Sequence, residues 1–262
     1  MNLKENSGIK LWNKAKKIIP GGNQLLSKRA EMFLPDLWPS YYKKAKGIEI
    51  HDLDNNVYLD FTIMGIGSTI LGYADDFVNK AVKDAVDSGS MSTLNCPEEV
   101  ELAELLIKIH PWAQMVRYAR GGGEAMSMAV RIARAHTRRD IIVFCGYHGW
   151  QDWYLAANLG EAAALRGHLR PGLEPAGVPS ALRGTALAFR YNQLPELEKL
   201  VKEHGSSIAA VVMEPVRDHD PEPGFLAGCK ALAHQCGALL VLDEVSAGFR
   251  MNTGGAHLVL GV

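Results

Sequence analysis

The stretch RGGGEAMSMAVRIARAHTRRDIIVFC, residues 120–145, decides the fold class of this chain. Three glycines are followed by apolar residues at helical spacing, and a continuous apolar run, IIVFC, closes the stretch. A short apolar run of this kind is typical of a strand that is buried on both faces of a sheet. The stretch therefore predicts a glycine bend, a helix at Glu124–His136 and a strand at Ile141–Cys145.

The alternation of helices and short apolar strands continues on both sides of this stretch. Such alternation builds a mostly parallel sheet with helices on both faces, so the sequence predicts an α/β fold. Glycine, proline and arginine are scattered through Gly160–Arg183, which predicts a mobile loop or partial lid. We predict further helices at Asp75–Ser88, Pro97–Ile109, Leu194–His204 and Gly228–Gly237, and further strands at Met115–Ala119, Thr185–Phe189, Ile208–Met213 and Leu239–Asp243.

Residues 1–72 follow a different pattern, which predicts an N-terminal segment separate from a sheet domain at 73–262. Apolar residues from Ile9 to Ile19 recur every three or four positions and predict an amphipathic helix. Residues 33–42 are rich in proline and aromatic residues and are predicted to be irregular. Two short runs on either side of an Asx-rich turn predict a hairpin over Ile48–Asp60.

Composition narrows the class of protein. The 262 residues include 28 Lys and Arg and 29 Asp and Glu, so the chain has no basic excess that would favour nucleic acid. The four cysteines form no CxxC pair, which disfavours a metal site and indicates a reducing compartment. No signal-peptide pattern and no membrane-length apolar run occur, so we expect a cytoplasmic protein with no membrane partner.

The glycine bend is the first of four candidate functional features at the carboxyl ends of the predicted strands, where open parallel sheets bind ligands. Gly121, Gly122 and Gly123 let backbone N–H groups approach an anion, and the helix N-terminus favours a phosphate. Alone, the bend is as typical of an ordinary strand-to-helix turn. A dinucleotide-binding loop is disfavoured, because Met126 replaces the third glycine and Asp140 precedes its strand.

Two further features are the loop after Ile141–Cys145 and the acid that closes Ile208–Met213. Tyr147 offers an aromatic face that can stack on a flat heterocycle, although a loop aromatic more often seals a core. His148 is more typical of a structural hydrogen-bonding residue, since no nucleophile pairs with it. Glu214 precedes a proline, a pattern that alone indicates a strand terminator.

The fourth feature is the run LLVLDEV at 239–245, in which four apolar residues lead into an acid. A carboxylate at the end of a buried strand is costly unless it meets a cation, and a pyridinium nitrogen is such a cation. Side chains two apart on a strand point the same way, so Asp243 and Val245 would project together. A metal-binding acid of the Walker B type is disfavoured, because the chain has no GxxxxGK[ST] loop.

Together these features define one predicted site for a flat, phosphorylated heterocycle, and the residues around them resemble a known family. The chain resembles class III aminotransferases of pyridoxal-phosphate (PLP) fold type I, closest to the glutamate-1-semialdehyde 2,1-aminomutase-like branch. The resemblance implies a fold type I large domain with a mostly parallel sheet, plus an N-terminal segment of a small α+β domain. The matching stretches are IIPGGNQLLSKRA, IEIHDLDNNVYLDF, RYARGGGEAMSMAVRIARAHTRRDIIVFCGYHGW, VVMEP and LLVLDEVSAGFR.

The resemblance also implies a cofactor, pyridoxal 5'-phosphate, and roles for individual residues. Gly122 and Gly123 would lie at its phosphate, Tyr147 would stack on its ring, Asp243 would pair with the ring nitrogen and Val245 would cover the other face. Further residues implied are Glu214 as a nearby acid, Arg29 as the residue that holds a substrate carboxylate, and Gly121 and His148 as neighbours of the cofactor.

The chain departs from the family pattern at three places. The bend at 120–125 lacks the hydroxyl residues of the usual Asn-Ser-Gly-Thr-Glu-Ala loop, which leaves only backbone donors. Ile66 stands near where the aminomutase has a tryptophan. No lysine follows Lys230, although the family's Schiff-base lysine comes after the Asp-Glu-Val motif. We therefore expect an incomplete large domain at 73–262, without the catalytic lysine, and an inactive chain.

The function implied by the resemblance is transfer of an amino group between a small-molecule amino donor and a carbonyl acceptor, in a homodimer. An intramolecular shift, the aminomutase reaction, is the alternative within this class. A second alternative is a non-catalytic PLP-fold remnant or partner subunit. A dinucleotide-dependent oxidoreductase is disfavoured by the glycine bend, as argued above.

Overall fold

The computed structural model describes residues 6–160, 164–165 and 174–262. The chain divides into two compact units, Met1–Asn95 and Cys96–Val262, whereas the sequence predicted a boundary after residue 72. Residues 161–163 and 166–173 of the predicted loop at Gly160–Arg183 lie outside the described residues. Its described end contains a short 3-10 helix at Ser180–Leu182.

In its described residues, 6–95, the first unit has two α-helices, two short 3-10 helices and an antiparallel sheet in the order β1-β2-β3. The predicted helix and hairpin are confirmed, but the first strand was not predicted. Its sequence, YKKAK, is mostly exposed and charged, so it lacks the apolar pattern that signals a strand. The elements are α1 (Ser7–Ile18), β1 (Tyr42–Lys46), β2 (Glu49–Asp52), β3 (Val57–Leu59) and α2 (Asp76–Asp87).

The carboxylate of Asp52 joins the start of α1 to the hairpin. Asp52 is 1% exposed, and it accepts hydrogen bonds from Asn6 Nδ2 (3.1 Å), Asn56 N (2.8 Å) and Asn56 Nδ2 (2.8 Å). Asn6 in turn caps α1, because its Oδ1 accepts from Gly8 N at 2.7 Å. Burial opposes ionisation of Asp52, but these hydrogen bonds outweigh it and lower the pKa of the carboxyl.

We predict that Asp52→Asn destabilises the first unit by about 3 kcal/mol at neutral pH, because an amide group would face donors that now bind a charged carboxylate. Since the native pKa is lowered, the stabilisation from Asp52 is present above the unfolded-state pKa and is lost as the pH falls through the native one. Urea unfolding of both proteins between neutral and acidic pH measures the difference.

Asp36→Asn, at an exposed loop position of the same unit, serves as the control and is expected to unfold like the wild type. Equal unfolding midpoints for Asp52→Asn and the wild type at neutral pH would contradict the anchoring role.

The second unit is an α/β structure, and the four strands found where its residues are described form one parallel sheet in the order β5-β4-β6-β7. The sequence prediction of an α/β fold is confirmed. The helices are α3 (Glu98–Ile109), α4 (Gly122–Thr137), α5 (Asp152–Leu155), α6 (Ala157–Gly160), α7 (Leu194–His204), α8 (Phe225–Gln235) and α9 (Ala256–Leu260), and the strands are β4 (Ile141–Cys145), β5 (Ala186–Ala188), β6 (Ile208–Met213) and β7 (Leu239–Leu242).

The sheet is buried on both faces, as the continuous apolar strands predict. Ile142 and Phe144 pack on one face, in a core that α4 and the Trp153–Ala157 segment complete. Val143 and Cys145 pack on the other face, against α7 and α8. Because all strands run the same way, their carboxyl ends lie along a single edge of the sheet.

The predicted strand at Met115–Ala119 is wrong. Among the described residues the segment has no regular secondary structure and pairs with no strand, and Met115 is 90% exposed. Apolar character alone suggested a strand here, yet a strand exists only where a neighbour supplies a hydrogen-bonded ladder.

Neither a membrane span nor a metal cluster is found in the described parts of the chain. No helix there combines the length and apolar character needed to cross a bilayer. The same residues contain no group of three or more His, Cys, Asp and Glu side chains arranged to hold a metal ion.

Candidate functional site

Asp243 occupies the carboxyl end of β7 and is 6% exposed. Its backbone N–H donates to Met213 O at 2.8 Å, which continues the ladder with β6. One carboxylate oxygen lies 2.8 Å from His148 Nδ1, and the other accepts from Val245 N at 3.1 Å. A carboxylate has about four lone-pair positions, so Asp243 keeps capacity for a further donor.

His148 is buried beside this acid, in the loop that follows β4. Its Nδ1 faces Asp243 Oδ2 and its Nε2 faces Cys145 O at 3.1 Å, so both ring nitrogens meet oxygens that only accept. Both contacts are hydrogen bonds only when both ring nitrogens carry a proton. His148 and the carboxylate of Asp243 therefore form a hydrogen-bonded pair that is buried away from water.

Tyr147 is held at this edge by its backbone and by a neighbouring ring. Its N–H donates to Glu214 Oε2 at 3.0 Å, and its exposed ring meets the ring of Tyr154 edge to face at 6.1 Å. Gly146 precedes it with φ +113°, and a Cβ there would lie 2.4 Å from Glu214 Oε2. Glycine at 146 therefore permits the close approach of Glu214 that fixes Tyr147.

Glu214 closes β6 and forms an ion pair with Arg217, whose Nε lies 3.4 Å from Glu214 Oε2. Burial raises the pKa of Glu214, and the hydrogen bond from Tyr147 and the charges of His148 and Arg217 partly oppose that shift. The sequence analysis did not single out Arg217. Its only signal in the sequence was its position three residues after Glu214 and two residues after Pro215.

The glycine bend lies in contact with Val245. Gly121 precedes α4 in an extended conformation, and the first N–H groups of a helix have no partner within it. A Cβ at Gly122 would lie 2.9 Å from Val245 Cγ2, so the bend touches Val245, two residues after Asp243. These backbone donors and the acid therefore belong to the same edge of the second unit.

Gln151 connects the bend to the loop of His148, and sequence analysis missed it. Its Oε1 accepts from Trp150 N at 3.0 Å. A Cβ at Gly123 would lie 2.2 Å from Gln151 Nε2, and one at Gly149 would lie 3.1 Å from Gly123 Cα. The two glycine segments pack backbone against backbone, which no pattern within either segment reveals.

The structure thus gathers most of the predicted site residues in the second unit: Gly121, Gly122, Gly123, Tyr147, His148, Glu214, Asp243 and Val245. Arg29 belongs to the first unit, where its guanidinium lies so near Gly21 that a Cβ there would be 2.5 Å from Nη2. Binding of a substrate carboxylate by Arg29 stays a prediction, as do the cofactor contacts of the other residues.

A family model for class-III aminotransferases matches residues 35–260, and the chain belongs to this family. It is 39% identical over 253 residues to the glutamate-1-semialdehyde 2,1-aminomutase of Desulfovibrio desulfuricans, which covers 94% of this chain and 58% of that protein. The corresponding protein of Anaeromyxobacter dehalogenans is 38% identical over 261 residues, covering 97% and 59% of the two chains. The chain thus spans less than two thirds of these curated relatives.

Solved structures are similar to this fold. An omega-transaminase from Sphaerobacter thermophilus matches with a TM-score of 0.84 and 29% identity, over 98% of this chain and 59% of that one. A glutamate-1-semialdehyde aminomutase from Pseudomonas aeruginosa matches with a TM-score of 0.78 and 22% identity, over 99% and 56%, which bears on the fold alone. The predicted fold, type I of the PLP-dependent transferases, is confirmed.

We predict strong coupling between His148 and Asp243 in the ligand-free chain. His148→Leu leaves a buried carboxylate without its partner and is expected to lower the free energy of unfolding by about 3 kcal/mol. The double variant with Asp243→Leu is expected to recover part of this loss, because no uncompensated charge remains. Urea unfolding of the single and double variants gives the coupling energy.

His136→Leu, at an exposed position in the last turn of α4, is the matched control and is expected to change stability by about 0.5 kcal/mol or less. Additive effects of the two site substitutions would show that His148 and Asp243 do not form an energetically coupled pair.

Proposed function

We propose that the second unit is the cofactor-binding part of a PLP-dependent aminotransferase, an enzyme that moves an amino group between a small-molecule amino donor and a carbonyl acceptor. The main support is the placement of Asp243. This buried carboxylate has spare acceptor capacity, and it lies two residues from Val245, which touches the glycine bend. An acid and a set of anion-binding N–H groups thus lie at the same edge.

The residues fit the cofactor in their chemistry. The free N–H groups at the start of α4 and its dipole suit a phosphate, and the glycines permit close approach of the backbone. The carboxylate of Asp243 suits a protonated ring nitrogen. Tyr147 and Val245, both exposed, would cover the two faces of a flat ring.

When bound, pyridoxal phosphate supplies an electron-withdrawing ring that stabilises negative charge on the substrate carbon. In the proposed mechanism Asp243 would hold a proton on the ring nitrogen, and His148 would orient the carboxylate of Asp243. Glu214 fixes the backbone of Tyr147, whose ring then orients the heterocycle. Val245 excludes water from the opposite face.

The aminomutase reaction is the second candidate, because the curated relatives described above are aminomutases. It differs from transfer between two molecules in consuming no separate carbonyl acceptor. A non-catalytic role is a third candidate, supported by the bend at 120–125, which offers backbone donors only.

We further propose a cytoplasmic homodimer. Exposed apolar side chains such as Met115 and Leu94 support such an association, and sedimentation equilibrium measures it.

The first test is titration of the 262-residue chain with PLP, followed by absorbance. We predict saturable binding, and for Asp243→Asn a dissociation constant at least about tenfold higher, because a charge-assisted hydrogen bond is lost. Asp140→Asn, before β4 at the opposite edge of the same sheet, is the control. Equal affinity of the wild type and Asp243→Asn would refute the assignment of this acid to the ring nitrogen.

The second test concerns the lysine. No lysine follows Lys230 in this sequence, so we predict that borohydride reduction in the presence of PLP labels no single lysine stoichiometrically. Peptide mapping by mass spectrometry locates any label. One stoichiometric pyridoxyl-lysine within the chain would overturn the proposal that this chain alone lacks the catalytic amine.

A further inference from the structure

Glu244, the residue between Asp243 and Val245, points into a second polar cluster that the proposed cofactor site does not use. Its carboxylate accepts from Ala256 N at 2.7 Å, from His257 N at 2.9 Å and from His257 Nδ1 at 2.6 Å. Glu244 therefore satisfies N–H groups at the start of α9 and also binds the buried side chain of His257.

The partners of His257 define its tautomer. Trp112 Nε1 lies 2.6 Å from His257 Nε2, and an indole N–H is only a donor, so Nε2 must be the acceptor. The single ring proton therefore sits on Nδ1, where Glu244 accepts it. The hydrogen bonds run in one direction, from Trp112 through His257 to Glu244, and we refer to these three residues as the relay.

His110 holds the relay against the end of α3. Its ring stacks on that of His257, with centroids 6.0 Å apart and planes at 12°, and it meets the ring of Trp112 edge to face at 6.3 Å. His110 Nδ1 donates to Leu106 O at 2.8 Å, so this ring also has a fixed orientation.

Two glycines leave room for the relay. A Cβ at Gly255 would lie 2.7 Å from Glu244 Oε2, and its φ of +100° is one that other residues rarely adopt. A Cβ at Gly254 would lie 2.2 Å from Ile109 O. The chain therefore passes between the end of α3 and Glu244 without side chains at either position.

The N–H of Asp243 makes the last ladder bond to β6, and beyond it the backbone leaves the sheet, so Glu244 and Val245 depend on other contacts for their orientation. His148 holds Asp243 from one side, and the relay holds Glu244 from the other. Val245 is 59% exposed, touches the glycine bend and belongs to none of the buried clusters formed by the described residues. We propose that Glu244 is a positioning residue, and that the relay sets the orientation of Asp243 and Val245 toward the cofactor. The cofactor part of this inference rests on the proposed function.

The test uses Trp112→Phe in the 262-residue chain. The variant keeps an aromatic ring but removes the donor to His257, and Trp112 is 67% exposed, so folding is expected to persist. In the cofactor-free chain we expect the Nε2 NMR signal of His257 to move, because that nitrogen loses its donor. We also expect the Val245 methyl and His148 Nδ1–H resonances to move, and the thermal unfolding midpoint to stay near the wild-type value.

With PLP, Trp112→Phe is expected to raise the dissociation constant roughly three- to tenfold, the range that one net hydrogen bond represents. Glu244→Gln is expected to have at least as large an effect, because its amide N–H group would face backbone donors. Trp38→Phe, which replaces an indole in the first unit, is the matched control and is expected to change neither the resonances nor the affinity.

The two arms separate the possible failures. If Trp112→Phe and Glu244→Gln leave the Val245 and His148 resonances of the cofactor-free chain unchanged, the relay does not position the acid and the inference is overturned. If those resonances move but the wild type does not bind PLP, the proposed function fails while the positioning role is supported. Moved resonances with unchanged PLP affinity in both variants would overturn the link to the cofactor.

Discussion

The hydrogen bond between His148 and Asp243 is the interaction on which the rest of the site depends. The two residues follow strands that are not neighbours, because β6 lies between β4 and β7. They meet only because parallel strands bring their carboxyl ends to one edge, where the end of β6 also contributes Glu214. A carboxylate buried to this degree needs a compensating cation. The loop after β4 must therefore place His148 across the end of the central strand, and Tyr147 is carried to the same edge with it.

Close backbone packing makes this placement possible. Side chains at Gly123 and Gly149 would occupy the volume of Gln151, and one at Gly122 would displace Val245. The bend gives up hydroxyl donors, so anion binding there would depend on backbone N–H groups and the dipole of α4. Backbone N–H groups bind an anion only if no side chain covers them. Glycine at these positions leaves the N–H groups uncovered and also lets the bend contact the neighbouring loop.

Local patterns predicted most of the second unit. The strands Ile141–Cys145 and Ile208–Met213 and the helix Leu194–His204 have the predicted bounds, because apolar periodicity is a property of the segment itself. The two wrong strand predictions depend on pairing with other strands, which a local pattern does not reveal. Met115–Ala119 lacks a neighbouring strand among the described residues, and the charged strand Tyr42–Lys46 forms through its pairing with β2. The site residues that were missed follow the same rule. Trp112 and His257 are 145 positions apart, so only the folded chain relates them.

The donors around the adjacent acids Asp243 and Glu244 explain why both positions of this chain carry a carboxylate. Each is surrounded by donors on its own side of the chain: a ring nitrogen and a backbone N–H around Asp243, and two backbone N–H groups and a ring N–H around Glu244. An amide at either position would direct its own donors at these groups. Because neither acid can rotate away without leaving buried donors unsatisfied, the two hold the backbone between them in one orientation. A segment beyond the end of its strand thereby acquires the rigidity that a binding site requires.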